Sequence, residues 1–187
     1  ENMCRVADLH GLTCTARIPD TSNETILRAF DRGIMGILCP HVDNADQAFQ
    51  ISQSARFGPE GARSFGTSRG RDYGLTGKSP EIYMKEFNSQ VTVAVQIETL
   101  NAVETINDIL SVPGIDLITF GPQDLAQSMG HPGRPNHPEV LDAMKKVREA
   151  VHARGRLMSD DVESGINFVQ WVPSKLSDWL EEKKSGK

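Results

Sequence analysis

The sequence predicts an α/β protein with a parallel sheet, of the (β/α)8 TIM barrel type. About six short runs of β-branched or apolar residues alternate with amphipathic stretches along the chain, as in a parallel sheet wound with right-handed crossovers. The residues that stand out chemically follow several different strands, and no strand is followed by a glycine-rich dinucleotide turn. A barrel is therefore favoured over an open, doubly wound sheet.

The length of the chain indicates how much of a barrel it contains. A complete barrel takes about 250 residues, whereas this chain has 187. The expectation is a single barrel domain over residues 1–187 that lacks the first one or two βα units.

The first part of the chain predicts an opening helix and then two strand–helix units. Apolar residues at helical spacing predict the opening helix over residues 1–9. The runs LTCTARIP and IMGILCP predict two strands, each ending at a proline. Capping signatures predict a helix after each strand: Thr21 with Glu24, and Asn44 with Gln47.

A long glycine-rich segment follows these units. Residues 58–77 contain six glycines and show no periodicity, which predicts a long loop of the kind that is usually functional in a compact domain. Ser79-Pro80 then starts another helix, because proline is preferred at the first helical position.

The central stretch, residues 91–130, predicts a βαβ unit that carries two carboxylates. The run VTVAVQI leads directly to Glu98, and DLITF leads through Gly-Pro-Gln to Asp124. If the two strands are parallel neighbours, both acids lie at the same edge of the sheet, where α/β enzymes collect their chemistry. An oxygen-only site of this kind suits Mg²⁺, Mn²⁺ or Co²⁺ better than zinc.

The last part of the chain predicts a long helix, two strands and a terminal helix. The long helix starts at Pro138 and ends before Gly155. The strands are the runs RLMSD and NFVQWV, and an amphipathic terminal helix follows in SKLSDWLEEKK.

Composition excludes several classes of protein. The net charge is −5 without a long basic block, so nucleic acid is not an expected partner. No apolar run approaches the roughly 20 residues that span a bilayer. The three cysteines form no Cys-x-x-Cys pair and are expected to be packing residues. The expectation is a cytoplasmic protein without a membrane partner.

Five blocks of the sequence resemble the HpcH/HpaI aldolase family, the metal-dependent class II pyruvate aldolases. This family includes 4-hydroxy-2-oxoheptanedioate aldolase, 2-dehydro-3-deoxy-galactarate aldolase and macrophomate synthase. The blocks occur in the family's order and at about its spacings: ARIPD, GIMGILCPHVDNADQA, ARFGPEGARSFG, VQIETLNAVETINDIL and FGPQDLAQSMGHPGRPNHPEV.

The resemblance implies a fold, an activity and a set of site residues. The fold is a barrel of the phosphoenolpyruvate/pyruvate type, and the activity is cleavage of a 4-hydroxy-2-oxo acid to pyruvate and an aldehyde through a metal-bound pyruvate enolate. Glu98 and Asp124 would bind the metal, and Arg63 would contact the keto oxygen and the enolate. The family's general-base histidine would lie before Glu1. The substrate carboxylate would be held by the backbone of Gly121, Pro122 and Gln123.

The same residues also have simpler explanations. Taken alone, Glu98 and Asp124 are acids at helix starts, stabilised by the helix dipole, and Arg63 is a solvated loop charge. Occurring together in matching blocks, they favour the metal site and the catalytic arginine. His41 follows a strand directly and is either a base or substrate contact at the mouth of the site, or a structural residue.

Two alternative functions remain open at this point. One is oxaloacetate decarboxylation followed by trapping of the enolate, as in macrophomate synthase. The other is a non-catalytic barrel remnant that acts as a binding or assembly subunit. The aldolase and the decarboxylase would both act on a small 2-oxo acid such as pyruvate, oxaloacetate or a 4-hydroxy-2-oxo acid. The resemblance implies a homo-oligomer, with a hexamer as one expected form, in which residues 174–187 pack on a neighbouring subunit.

Overall fold

Five parallel strands form one sheet in the computed structural model, which describes residues 1–162. The strands lie side by side in chain order: β1 (Thr15–Arg17), β2 (Gly36–Cys39), β3 (Thr92–Ile97), β4 (Leu117–Phe120) and β5 (Leu157–Met158). The helices of these residues are α1 (Asn2–Leu9), α2 (Asn23–Asp31), α3 (Ala45–Ala55), α4 (Pro80–Gln90), α5 (Leu100–Glu104), α6 (Ile106–Ser111), α7 (Pro122–Ser128) and α8 (Pro138–Ala153). Short 3-10 segments occur at Arg69–Gly74 and Ser159–Asp161.

The two faces of the sheet differ in burial because the strands follow one another in chain order. Right-handed crossovers between successive parallel neighbours place their connecting helices on one face. Residues on that face are buried, among them Ile37, Val93, Val95 and Ile118. The opposite face carries polar residues that are exposed or half-buried: Thr15, Arg17, Thr92, Gln96 and Thr119. Within residues 1–162, helices therefore cover one apolar face. The other face, called the open face below, is mixed, because it also carries Leu38, Ala94 and Leu117.

Two of the predicted helix starts are confirmed at the atomic level. Asn44 caps α3, and its Oδ1 accepts a hydrogen bond from the Gln47 N–H at 2.9 Å. Ser79 caps α4, which begins at Pro80. Both caps satisfy an amide hydrogen that the first turn of a helix leaves without an internal partner.

The predicted cap of α2 at Thr21 is wrong by one residue. The capping group is Ser22, whose Oγ accepts from the Thr25 N–H at 3.2 Å. Asp20 explains the shift, because its carboxylate accepts from the Ser22 N–H at 2.9 Å and from the Thr25 hydroxyl at 3.0 Å. These bonds carry the turn one residue further before the helix begins.

The connection between β3 and β4 also differs in detail from the prediction. Instead of one amphipathic helix it contains α5 and α6, which meet at Thr105. The Thr105 hydroxyl donates to the Asp43 carbonyl at 2.7 Å. This bond ties the junction of α5 and α6 to the residue that precedes the cap of α3.

The α/β class and the parallel sheet are confirmed, and the run RLMSD contains β5. Closure into a barrel stays a prediction. The predicted strand NFVQWV and the terminal helix, with its proposed contact on a neighbouring subunit, lie outside the described residues. Within residues 1–162, no helix combines the length and apolar character needed to cross a membrane.

A buried arginine ties α3 to the starts of β3 and β4. The Arg56 side chain is 6% exposed and bonds Asp116 at 2.8 Å and the Gly114 carbonyl at 3.1 Å. The same carboxylate oxygen of Asp116 accepts from the Val93 N–H at 2.7 Å. One guanidinium and one carboxylate therefore align the amino ends of two neighbouring strands.

Replacing Arg56 with methionine is expected to lower the free energy of unfolding by about 2 kcal/mol, because the Asp116 carboxylate and the carbonyl groups of Asn88 and Gly114 lose the guanidinium that they share. Urea unfolding followed by circular dichroism measures the change. Lys145→Gln is the matched control, since Lys145 and Glu149 form an exposed pair at 3.9 Å. Equal stability of the two variants would contradict the role given to Arg56.

Candidate functional site

Glu98 is the first residue after β3 and lies buried at the carboxyl edge of the sheet. It is 1% exposed. Its Oε1 accepts from the His41 N–H at 2.7 Å and lies 2.8 Å from His41 Nδ1. Its Oε2 is also buried and has no hydrogen-bond partner among the described residues. A carboxylate can only accept, so this second oxygen requires a cation or a proton donor.

His41 follows β2 and turns its backbone toward Glu98. Its φ is +54°, in the left-handed region that few residues other than glycine adopt. This conformation aims the backbone N–H at the Glu98 carboxylate, while the side chain remains 64% exposed. His41 is thus at the predicted mouth of the site and holds Glu98 in place. Its contact with substrate stays a prediction.

Gly121 is the point where β4 passes closest to Glu98. Ile97 and Phe120 are register partners, and the Gly121 N–H donates to the Ile97 carbonyl at 3.1 Å. A Cβ at Gly121 would overlap Glu98 Oε2 and lie 2.5 Å from Gln96 Nε2. Glycine is therefore required at this residue, because the backbone of β4 passes too close to the Glu98 and Gln96 side chains to leave room for a Cβ.

Asp124 lies in the first turn of α7, just after Gly121, and is exposed. Since β3 and β4 pair in register, the turns that carry Glu98 and Asp124 emerge at the same edge of the sheet. The structure thus brings the two predicted metal ligands to one edge. Their donor atoms are oxygens, which hard divalent cations prefer.

Of the three residues predicted to hold a substrate carboxylate, one can offer a backbone donor. The Gly121 N–H is already bonded to Ile97, and Pro122 has no N–H. Gln123 is the second residue of α7 and carries an amide hydrogen at the start of the helix. The prediction therefore narrows to Gln123 as the donor, with Gly121 and Pro122 shaping the turn.

Two polar residues near the site were not predicted from the sequence. Arg17 is the last residue of β1, and its Nε donates to Gln96 Oε1 at 3.4 Å. Gln96 in turn approaches Gly121 beside Glu98. The signal in the sequence is a cation that ends a strand within ARIPD. A positive charge is thus present on the open face, joined through Gln96 to the turn beside Glu98.

Arg63 does not lie at the edge of the sheet that carries Glu98 and Asp124. Its side chain is 2% exposed and bonds Asp31 at 3.0 Å. Its guanidinium carbon lies 4.3 to 5.0 Å from the ring centroids of Phe30, Phe57 and Phe87. Asp31 is the last residue of α2, the helix that leads into the amino end of β2. The contacts of Arg63 are therefore at the amino edge of the sheet, and its catalytic role stays a prediction.

The environment of Arg63 is typical of a core residue. Burial lowers the pKa of its guanidinium, and the Asp31 carboxylate opposes that shift. Its Nε and Nη1 are buried without a hydrogen-bond acceptor in the described part of the chain. The aromatic rings partly replace the missing acceptors through cation–π contact.

Comparison with known proteins identifies the relatives of this chain. The family model for HpcH/HpaI aldolase/citrate lyase matches residues 4–175. This chain belongs to that family. The expected resemblance is confirmed, and it covers the strands and turns that carry Glu98 and Asp124.

Individual relatives of this HpcH/HpaI family member are aldolases. A 4-hydroxy-2-oxovalerate aldolase of Rhodococcus jostii is 39% identical over 145 residues, which are 75% of this chain and 55% of the relative. A 5-keto-4-deoxy-D-glucarate aldolase of an Enterobacter species is 36% identical over 158 residues, which are 83% of this chain and 60% of the relative. The chain thus spans less than two thirds of either relative.

A solved structure shares the fold. The HpcH/HpaI aldolase from Desulfitobacterium hafniense superposes with a TM-score of 0.79 at 25% identity, over 98% of this chain and 74% of that one.

Gly121→Ala is expected to destabilise this family member by about 2 kcal/mol, because the new methyl group would displace the Glu98 carboxylate from its hydrogen bonds with His41. Urea unfolding measures the effect. Gly66→Ala is the control, since a Cβ at Gly66 meets no atom within 4 Å. If both alanine variants unfold alike, the close approach at Gly121 is not a constraint.

Proposed function

We propose that this chain carries the metal and substrate site of a lyase that cleaves a 4-hydroxy-2-oxo acid to pyruvate and an aldehyde. The observation that carries the proposal is the buried Glu98 carboxylate with an unpartnered Oε2, at the edge where Asp124 also emerges. The names of the similar aldolases support the substrate class.

The cofactor in this proposal is a divalent cation, Mg²⁺, Mn²⁺ or Co²⁺, held by Glu98 Oε2 and the Asp124 carboxylate. The residues fit it, because both donors are carboxylate oxygens and one of them is buried without a partner. Such a cation supplies Lewis acidity that stabilises negative charge on the keto oxygen during cleavage.

The surrounding residues position the ligand and the substrate. His41 fixes Glu98 through its backbone and its ring, so the free carboxylate oxygen keeps a defined direction. The Gln123 N–H binds the substrate carboxylate at the start of α7. Arg17 provides a permanent positive charge for the oxygen on which charge develops.

Two arginines are thus candidates for the contact with the enolate oxygen. The family resemblance assigns it to Arg63, whereas the observed contacts favour Arg17, which bonds Gln96 on the open face. Arg63 instead pairs with Asp31 among aromatic rings. We propose Arg17 as the enolate contact and keep Arg63 as the alternative to be tested.

We further propose that the sheet is part of a (β/α)8 barrel within a single domain. Its strands are all parallel and stand in sequential order, whereas a doubly wound sheet reverses its order at a switch point. The open face, with Arg17 and Gln96, would then face the barrel interior. A homo-oligomer in the cytoplasm remains part of this proposal.

The decisive assay measures pyruvate release from 4-hydroxy-2-oxo acids by the protein that carries this chain, with Mg²⁺, Mn²⁺, Co²⁺ or EDTA. We expect metal-dependent release that falls about 100-fold or more in Glu98→Gln and in Asp124→Asn, because the metal contributes several kcal/mol to the transition state. Glu104→Gln, a substitution at the end of α5, is the control.

Other outcomes of this assay have distinct meanings. If pyruvate forms much faster from oxaloacetate than from any hydroxy-oxo acid, the function is that of a decarboxylase that traps the enolate, and not that of an aldolase. If no substrate releases pyruvate with any of the metals, the lyase proposal is overturned and a binding or assembly subunit is favoured.

Arg17→Met and Arg63→Met separate the two arginines. We expect Arg17→Met to lower kcat/KM about 100-fold with little change in stability, because Arg17 is exposed and acts on developing charge. Arg63→Met is expected to lose about 2 kcal/mol of stability, because Asp31 keeps only the Ser68 hydroxyl as a donor, and to retain turnover. The reverse pattern, a stable but inactive Arg63→Met, would restore the family-based assignment.

A further inference from the structure

The loop between α7 and α8 and the first turn of α8 gather three metal-ligating side chains away from Glu98. His131, His137 and Glu139 each place one nitrogen or carboxylate oxygen within 4.8 Å of the others. It is the one group of three such residues found in the part of the chain that the structure describes. Asp124 lies near the start of α7 and His131 beyond its end, so a helix about 10 Å long separates this cluster from the site at Glu98.

The donor atoms of the cluster lie near the spacing of a metal site. His131 Nε2 lies 2.8 Å from Glu139 Oε2, whereas the ligand atoms of a tetrahedral zinc site are about 3.4 Å apart, given bonds of about 2.0–2.1 Å. The two imidazole rings stack with their centroids 3.6 Å apart. Because the lone pair of a ring nitrogen lies in the plane of the ring, binding requires one ring to rotate out of this stack.

The donor atoms of the cluster also suit a cation. Two imidazole nitrogens with one carboxylate oxygen form a common donor set for zinc and its neighbours.

The loop holds these residues with its own backbone. The His131 N–H donates to the Ala126 carbonyl at 2.7 Å, and the His137 N–H donates to the Arg134 carbonyl at 3.0 Å. Pro138 starts α8 directly after His137. The backbone around both histidines is thus already ordered, and binding requires rotation of side chains only.

We propose that His131, His137 and Glu139 bind a divalent transition metal ion of the zinc type, at a site separate from Glu98 and Asp124. The ion takes the place of the hydrogen between His131 Nε2 and Glu139 Oε2, and His131 then binds as the tautomer that carries its hydrogen on Nδ1. His137 gives up only a long contact of 3.4 Å between its Nδ1 and the Glu139 N–H. Water completes the coordination, because the Glu139 side chain is 68% exposed.

One neighbouring positive charge weakens the binding of a cation, so its removal should raise the affinity. Arg134 Nη2 lies 3.4 Å from His131 Nδ1, and its positive charge weakens the binding of any cation. Arg134→Gln should therefore bind the ion several-fold more tightly than the unmodified chain.

The test is a titration of the protein with Zn²⁺ by calorimetry, and with Co²⁺ by visible absorption, in excess Mg²⁺ to occupy oxygen-only sites. We expect one Zn²⁺ per chain and a Co²⁺ spectrum of low coordination number. His131→Gln, Glu139→Gln and His137→Asn should each weaken binding about 10-fold or more. Asparagine at residue 137 preserves a helix cap, so loss of binding there is not a loss of folding.

Two controls separate this site from the rest of the molecule. His152→Gln removes a histidine within α8 that pairs with Asp161, and should leave binding unchanged. Glu98→Gln with Asp124→Asn should also retain the zinc-type site, so failure of the proposed lyase and failure of this site are distinguishable. Absence of Zn²⁺ and Co²⁺ binding, or equal binding by the three ligand variants, would overturn the proposal.

Discussion

The buried carboxylate of Glu98 is the constraint on which the surrounding structure depends. An ionised group with 1% exposure is costly unless each of its oxygens is satisfied. His41 satisfies one oxygen and adopts a left-handed backbone conformation to do so. Gly121 leaves the space that the other oxygen occupies. Strain at one residue and the absence of a side chain at another thus both serve a single carboxylate.

The order of the strands determines which side of the sheet is available for chemistry. Because the connecting helices cover one face, apolar residues such as Val93, Val95 and Ile118 are buried there. The other face keeps Arg17 and Gln96 accessible to a small molecule. A parallel sheet with helices on both faces would bury these polar residues at a high cost in desolvation. The one-sided arrangement therefore allows a polar site on the surface of the sheet itself.

The two arginines show how far a local motif can be interpreted. The block around Arg63 resembles its family counterpart in sequence, yet its side chain packs among Phe30, Phe57 and Phe87 beside Asp31. Arg17 belongs to a shorter block with less distinctive neighbours, and it reaches Gln96 across the intervening strand β2. Packing against neighbouring elements decides where an arginine side chain lies, so its position along the chain does not define which edge of the sheet it serves.

The sequence by itself determined the α/β class, the parallel order of β3 and β4, the caps at Asn44 and Ser79, and the placement of Glu98 and Asp124 at one edge. These follow from periods and turn residues that act over a few positions. Tertiary structure alone decided the left-handed turn at His41, the approach of Gln96 to Gly121 and the gathering of the histidine cluster before α8. Such features join residues far apart in the chain or depend on side-chain packing, which no local pattern encodes.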